Sequence, residues 1–364
     1  MSLSPGMSAG HAGGYFSKED YYLQGEDLGE NSLWVGKGSR ELGLEGQVRE
    51  EEFRALCQGE DPVGNRLVSP KVSRDMETGA IIEQHRAGND CTFSAPKSVS
   101  IAYAAGVEGI KGAHDAALVS VLGHMEEHYT HYLSPGGVRS GELVAASFDH
   151  ATSRNLDPQL HSHVFIVNAV HAQDGSWKAN WHKPIFQDQK SLGLLYRQEL
   201  ASELQARGFG ISIVDRSQMF IELDMIDPQL IEHFSSRREA IERQVLLWKE
   251  EGKFTGVSHA RLHEMAALET RDPKREVSRE DVVEAFERGF ASCRTSSREV
   301  KRELEQARDL ALERTREPPE YAAPEVVRLA AERLVEREAV LDRAEARSGC
   351  QGEGVLQHRR DAPA

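Results

Sequence analysis

The hydrophobic pattern in the first two thirds of the chain alternates between strand-like and helix-like stretches. Continuous apolar runs rich in β-branched and aromatic residues occur at 143–148 (LVAASF) and 164–170 (VFIVNAV), which predicts two buried strands. The segment between them contains Asn, Asp and Pro and is typical of a connection. Asp174-Gly175 predicts a tight turn into a further strand, so the pattern indicates a run of antiparallel strands.

Helical periodicity lies on both sides of these strands. Apolar positions recur at helical spacing in 112–132 and in 191–207, and the second run stops at Gly208, a typical residue after a helix end. Mixed strands and helices therefore extend from residue 1 to about 235. This order predicts an α+β unit.

The pattern changes after residue 235. From 236 to 316 it is helical and densely charged, with Ser278 and Asp281 placed as a capping box. The stretch 317–364 begins with Glu-Pro-Pro, contains one more amphipathic segment and ends in a tail without periodicity. The sequence therefore predicts three units along the chain.

Composition excludes several classes of protein. Hydrophobic residues make up 39% of the chain, so a core can form, and there is no apolar run long enough to span a bilayer and no signal-peptide pattern. The four cysteines show no CxxC spacing, which argues against a zinc ribbon and fits a reducing cytosol. The net charge of −15 weakens the case for a nucleic-acid binder without excluding it, because a local basic cleft can form in an acidic chain.

Three histidines are candidates for a metal site. His161 and His163 are one residue apart, so on a strand both imidazoles lie on the same face. His150 ends the preceding predicted strand, and its ring reaches the same patch if the two strands are neighbours. Three neutral imidazoles on one side bind a metal with positions left open for another ligand. From spacing alone, the alternative of polar strand and turn histidines without a metal remains open.

Asp90 and a tyrosine cluster add further candidate chemistry. Asp90 precedes the strand-like run CTFS, where a carboxylate orients a ligand histidine, accepts a proton or only caps a turn. The N-terminal region contains Tyr15, Tyr21 and Tyr22. A phenol has a pKa of about 10 and attacks phosphorus only with help from a nearby base or metal. Alone, these aromatic residues are equally consistent with packing or base stacking.

Three segments together resemble a known family. They are WVGKGSRELGLEG (34–46), GNDCTFSAPKSVSIAYA (88–104) and HATSRNLDPQLHSHVFIVN (150–168). In combination they resemble the conjugative relaxases of the TrwC/TraI type, the MobF class. The resemblance covers residues 1 to about 310.

The resemblance implies a fold and a division of the chain. The expected fold is α+β, with a central antiparallel sheet of the HUH endonuclease (palm) type and a C-terminal helical extension. Residues 1–235 correspond to the palm, and 236–316 to an extension that clasps DNA. Residues 317–364 correspond to a helix and tail where longer relatives continue into a helicase, although the chain contains no GxxxxGK[ST] phosphate-binding loop.

The resemblance also implies an activity. Family members nick one strand at a plasmid origin of transfer, and a tyrosine becomes covalently linked to the 5′ end. The implied cofactor is a divalent metal, Mg²⁺ or Mn²⁺, with Zn²⁺ and Ni²⁺ as further candidates because histidine ligands suit borderline metals. The implied partners are single-stranded or hairpin DNA at the origin, relaxosome accessory proteins and a coupling protein. The implied location is the bacterial cytoplasm, with translocation to a recipient cell.

The resemblance assigns roles to individual residues, which fall into four groups. The metal ligands are His150, His161 and His163, the acidic residue beside them is Asp90, the tyrosines are Tyr15 as leading nucleophile with Tyr21 and Tyr22 as the second pair, and the DNA contacts are Lys97 and Arg154. Tyr15 is followed by Phe where many members have a second tyrosine, and the gap to the next pair is short. A second catalytic tyrosine is therefore the least supported of these expectations.

Three alternatives remain at the level of sequence. A metal-dependent phosphodiesterase that uses water would leave the tyrosines to stack on bases and would form no protein–DNA adduct. A non-catalytic module would bind a DNA hairpin at the origin without cutting it. A generic cytosolic α+β protein would leave the motif matches to coincidence.

Overall fold

The computed structural model of the protein describes residues 1–8, 23–24, 31–74, 81–215, 220–270 and 277–314. The predicted tyrosine nucleophiles Tyr15, Tyr21 and Tyr22 lie outside the described residues, as does the expected helix and tail at 317–364. Across the described ranges, no helix combines the length and the apolar character needed to cross a bilayer.

Strands and helices alternate through most of the described chain. The strands are β1 (Ser2–Ser8), β2 (Leu23–Gln24), β3 (Ser32–Val35), β4 (Lys71–Arg74), β5 (Ile81–Gln84), β6 (Arg86–Ser94), β7 (His131–Ser134), β8 (Gly137–Thr152), β9 (Pro158–Ala172), β10 (Trp177–Lys178), β11 (Ile211–Asp215), β12 (Phe220–Leu223) and β13 (Val277–Ser278). The helices are α1 (Lys37–Glu41), α2 (Glu50–Cys57), α3 (Lys97–Ala104), α4 (Ile110–Tyr129), α5 (Lys183–Gln187), α6 (Gln189–Ala206), α7 (Pro228–His233), α8 (Ser236–Glu250), α9 (His259–Glu269), α10 (Arg279–Ser292) and α11 (Ser297–Arg314).

An antiparallel sheet forms the centre of the fold. Its strand order is β1-β6-β9-β8-β3, with β7 attached to β8 and β10 attached to β9. The sharp turn between β9 and β10 contains Gly175, whose φ of 77° favours glycine. The predicted hairpin at Asp174-Gly175 is therefore confirmed.

Both faces of the central strands are covered, which explains why their sequences are nearly continuous in apolar residues. On one face, Val164 and Ile166 of β9 share a buried cluster with residues of α3, α4 and α6. On the other face, the ring of Phe53 from α2 packs edge-on against Phe148 and Phe165, at centroid distances of 5.4 and 5.2 Å. Burial on both sides removes the apolar–polar alternation that a one-sided strand would show.

The two long strands extend beyond their apolar stretches. The sequence pattern predicted a connection over residues 150–163, but β8 continues to Thr152 and β9 begins at Pro158. The prediction was wrong on this boundary because polar residues in the pairing region find hydrogen-bond partners within the fold. The connection is reduced to residues 153–157. The metal-site candidates therefore lie within paired strands.

The C-terminal helices divide between two hydrophobic clusters. The capping box at Ser278 and Asp281 is confirmed at the start of α10. Buried residues of α10 and α11, such as Phe290 and Leu304, join the core of the sheet, whereas α8 and α9 share a separate small cluster around Trp248. The proposed division at residue 235 stays a prediction.

Candidate metal centre

Strand pairing brings the three candidate histidines together. His150 on β8 lies directly opposite His161 on β9, and His163 follows two residues later on the same face. The three ring centroids form a triangle in which each side measures 5.2 Å. The pairing of neighbouring strands is what places His150 beside the other two rings. Their role as metal ligands stays a prediction.

Two of the rings are held by hydrogen bonds from one nitrogen. His161 donates from Nδ1 to the carbonyl oxygen of Gln159 at 2.8 Å. His163 donates from Nδ1 to the Oδ2 atom of Asp90, also at 2.8 Å, and Thr92 Oγ1 lies 3.3 Å from the same nitrogen. Because a carbonyl and a carboxylate only accept, these contacts place the proton on Nδ1 and direct the Nε2 lone pair away from the support.

Burial keeps two of the rings neutral. Burial lowers the pKa of His161 to about 4, and the electrostatic effect of the neighbouring His163 lowers it further. Burial also holds the pKa of His150 well below its usual range, with both neighbouring histidines contributing. A neutral imidazole is the form that binds a metal ion, so the environment favours the ligand state over the charged one.

The arrangement of rings fits a three-histidine metal site. An ion bonded to one nitrogen of each ring at about 2.0–2.1 Å, with near-tetrahedral angles, sets the ring centroids about 5 Å apart. The observed separations of 5.2 Å agree with that value. The backing of His163 by a carboxylate and of His161 by a carbonyl is the support typical of metal-binding histidines.

Asp90 retains an uncommitted oxygen beside the histidines. The residue is buried on β6, where its backbone lies opposite Phe165 of β9 and Ser4 of β1. While Oδ2 accepts from His163, the buried Oδ1 atom has no hydrogen-bond partner within the described ranges. This carboxylate can therefore orient a ligand ring and still offer an acceptor to a second group.

A polar network lies on the opposite face of the same two strands. Asp149 and Ser162 alternate with the histidines and point the other way, where Ser162 donates to Asp149. Ser162 Oγ also lies 2.7 Å from Nε2 of His114, whose Nδ1 lies 2.6 Å from the hydroxyl of Tyr196. The sequence analysis did not predict this network. The polar residues Asp149 and Ser162, next to apolar strand residues, were the feature of the sequence that could have indicated it.

The same network contains another group of potential metal donors. Ligand atoms of His114, Asp115 and Asp149 lie within 4.8 Å of one another. However, the Lys111 ammonium contacts both carboxylates, at 2.8 Å for Asp149, and both nitrogens of His114 are engaged in the hydrogen bonds described above. Because an ammonium already neutralises the carboxylates, this second group is a weak candidate for a metal ion.

The predicted DNA contacts lie near the short connection between β8 and β9. Lys97 is partly buried and donates from Nζ to the carbonyl oxygen of Pro158 at 2.8 Å. Burial lowers the pKa of its ammonium, against the attraction of Asp157 and Glu222. Arg154 lies within the connection itself and is partly exposed. The structure therefore gives Lys97 a structural contact, and a DNA role for either residue stays a prediction.

Comparison with known proteins identifies the class of this α+β fold as a relaxase. Residues 9–293 match the family model described as TrwC relaxase. The multifunctional conjugation protein TraI of Escherichia coli (strain K12) is 33% identical over 295 residues, which is 77% of this chain and 15% of the relative. A second Escherichia coli TraI is 34% identical over the same length. The chain therefore belongs to the TrwC relaxase family, and it spans about 15% of the length of these curated relatives.

Solved structures share the fold. The metal-bound conjugative relaxase TrwC in complex with oriT DNA matches with a TM-score of 0.67 and 31% identity, over 81% of this chain and 100% of that chain. A copper-bound complex of the same relaxase matches equally well. TrwC with a 27-mer DNA comprising the recognition hairpin and the cleavage site gives a TM-score of 0.64. These matches confirm the predicted family and the predicted α+β class.

Proposed function

We propose that this chain nicks one DNA strand at an origin of transfer and forms a covalent link between Tyr15 and the 5′ phosphate. The observation that carries the proposal is the triangle of His150, His161 and His163 with Asp90 behind it, in a chain of the TrwC relaxase family. Related structures contain a metal and oriT DNA, which supports the same substrate class here.

The three histidines are the proposed metal ligands. When bound there, a divalent ion would supply Lewis-acid stabilisation of charge on the phosphate oxygens. Imidazole donors suit Mn²⁺, Ni²⁺, Cu²⁺ and Zn²⁺ better than Mg²⁺, which prefers oxygen, and the copper-bound relative is in keeping with this preference. Mg²⁺ and Mn²⁺ stay the proposed ions in the cell, by family resemblance.

Tyr15 and Asp90 are the proposed residues for nucleophilic attack and proton transfer. The phenol oxygen of Tyr15 would form the bond to phosphorus while the bond to the 3′ oxygen breaks, so the leaving oxygen takes up a proton and the phenol loses one. Asp90 would fix the orientation of His163, and its second oxygen is our candidate acceptor for the phenol proton. Because one phosphodiester replaces another, rejoining of the strand is nearly isoenergetic.

Described strands flank the tyrosine segment in the sequence. β1 runs beside β6, with Ser4 opposite Asp90 and Ser8, the last described residue before the tyrosines, opposite Arg86. β2 begins directly after Tyr22 and pairs with β13 at the start of α10. Both described ends of the tyrosine segment are thus fixed to the fold. A second strand transfer by Tyr21 or Tyr22 is the corresponding proposal for the later step.

The partners and the cellular location are also proposed from membership of the TrwC relaxase family. The proposed partners are single-stranded or hairpin DNA at the origin, with Lys97 and Arg154 as DNA contacts, together with relaxosome accessory proteins and a coupling protein. The proposed location is the bacterial cytoplasm, with translocation alongside the DNA. Residues 236–316 are the proposed DNA-clasping extension.

Substitution of the nucleophile tests the covalent step. We expect Tyr15→Phe to abolish the covalent adduct with an oriT oligonucleotide on a denaturing gel while DNA binding is preserved, because only the attacking oxygen is removed. Tyr103→Phe, on helix α3, is the matched control. Normal adduct yield from Tyr15→Phe would move the nucleophile to Tyr21 or Tyr22. Cut DNA without any adduct in the unsubstituted chain would support a phosphodiesterase that uses water.

Substitution of a ligand tests the metal centre. We expect His161→Ala to lower bound metal and cleavage together, because a three-nitrogen site loses one donor. Elemental analysis and the cleavage assay are run on the same preparation. His171→Ala, at the far end of β9, is the control. Unchanged metal content in His161→Ala would contradict the site. DNA binding without cleavage in the unsubstituted chain would support the non-catalytic module.

A further inference from the structure

A pair of histidines, separate from the three-histidine group, lies on the surface of the helical region. His259 and His263 are four residues apart on α9, so their side chains lie on the same face of the helix. Their ring centroids are 4.2 Å apart, and their Nε2 atoms are 3.2 Å apart. The helix packs against α8 in the cluster around Trp248, which does not include the three-histidine site.

The separation of the two nitrogens matches the requirement of a chelated metal. A cation bonded to two imidazole nitrogens at about 2.0–2.1 Å, with an angle of about 90° to about 110° between them, sets those nitrogens about 2.9–3.4 Å apart. The observed 3.2 Å lies within this interval. The two Nε2 atoms therefore already occupy positions that adjacent ligands of one ion would take.

The helix holds this pair in place without the ion. Ser258 caps α9 by accepting a hydrogen bond from the backbone N–H of Arg261, which fixes the turn that carries His259. Leu262, between the two histidines, is buried in the cluster with α8. The backbone of both ligands is thereby ordered, so binding would cost little backbone entropy.

From this geometry we infer that His259 and His263 form a surface site for a borderline divalent cation such as Ni²⁺, Cu²⁺ or Zn²⁺. Neutral imidazole is a good ligand for these ions, whereas Mg²⁺ and Ca²⁺ prefer oxygen. Water would complete the coordination because the pair is exposed. The site is independent of the proposed catalytic centre, and a preparation with both sites occupied would contain two ions per chain.

A Ni²⁺ titration of the full chain counts the sites. We expect two ions per chain for the unsubstituted protein and one for either His259→Gln or His263→Gln, by calorimetry and by elemental analysis after desalting. Arg261→Gln on the same helix and His233→Gln, an exposed histidine on α7, are the controls and should leave two ions bound. Equal stoichiometry and affinity in His259→Gln, His263→Gln and the unsubstituted chain would overturn the inference.

The titration also separates this site from the catalytic one. His161→Ala should retain the ion on α9 and lose the other. One ion in the unsubstituted chain and none in His263→Gln would uphold the surface site and contradict the three-histidine site. One ion in the unsubstituted chain and none in His161→Ala would contradict the surface site and uphold the three-histidine site.

Chemical modification identifies the ligands directly. Diethyl pyrocarbonate acylates free imidazole nitrogens, and mass spectrometry locates the modified residues. We expect Ni²⁺ to protect His259 and His263 together, and to leave His259 unprotected in His263→Gln. A pair joined only by a hydrogen bond between the rings would show no change on addition of Ni²⁺, and that result would also overturn the inference.

Discussion

At the residue scale, the hydrogen bonds behind the rings decide which nitrogen each histidine presents. The bond between His163 and Asp90 measures 2.8 Å, and Asp90 is almost fully buried. A carboxylate in this position both fixes the ring and makes its other nitrogen a stronger donor to a metal. The Asp90 contact would therefore be a determinant of the proposed metal site, beyond the presence of three histidines.

The charge of this carboxylate can be removed at nearly constant shape. We expect Asp90→Asn to lower metal affinity by about 10- to 100-fold, because an amide supports the ring but supplies no negative charge. Competitive titration with a fluorescent chelator gives the affinity. Asp174→Asn, in an exposed turn, is the control. Affinity equal to that of the unsubstituted chain would show that Asp90 does not support a ligand.

At the scale of elements, close packing between β6 and β9 fixes the strands that carry the site. Gly88 on β6 lies beneath the ring of Phe165, and a Cβ atom there would fall 2.2 Å from the carbonyl oxygen of Ile166. That oxygen belongs to the backbone and cannot move without disturbing the pairing. Gly123, exposed on α4, has nothing within 4 Å of an added Cβ.

These two glycines give opposite expectations for the same substitution. We expect Gly88→Ala to lower the free energy of unfolding by about 3 kcal/mol, because the strands must separate and the ring of Phe165 must also shift. Gly123→Ala should raise it by about 0.5–1 kcal/mol, because alanine favours the helix. Urea denaturation measures both. Equal stability of the Gly88→Ala and unsubstituted proteins would show that the sheet adapts at this point.

The elements were predictable to different degrees. Helical periodicity predicted α4 and α6. Continuous apolar runs predicted the central parts of β8 and β9, because burial on both faces leaves an unbroken apolar stretch. The polar ends of β8 and β9 were not predictable in this way, since their pairing depends on hydrogen bonds such as that from Ser162 to Asp149. Spacing placed His161 and His163 on one face, but only the strand pairing could add His150.

At the scale of the whole molecule, buried neutral histidines make stability depend on pH. Burial lowers the pKa of His114 to about 4, and burial with the nearby charge of Arg86 lowers that of His182 to about 3. An unfolded chain takes up these protons near pH 6.5, its ordinary range. Between pH 6.5 and 4 the unfolded state therefore binds more protons, and the native state loses stability as the pH falls.

The same proton balance predicts the effect of acid. We expect the free energy of unfolding to fall between pH 7 and pH 5 by on the order of 1–2 kcal/mol for each such histidine. His182→Gln should reduce this fall by the amount that one buried neutral histidine contributes. Urea midpoints at the two pH values measure the change. An unaltered fall in His182→Gln would show that this ring is charged in the native state.

Covalent, metal-assisted strand transfer is the proposed reaction of this chain of the TrwC relaxase family. Its most direct test is incubation of the full chain with a pool of single-stranded origin sequences and Mn²⁺, followed by recovery and peptide mapping of covalent adducts. We expect a 5′-phosphate adduct on Tyr15 that disappears with a chelator and in His161→Ala. Cleaved DNA with no adduct, or an adduct that forms equally in the presence of the chelator, would contradict it.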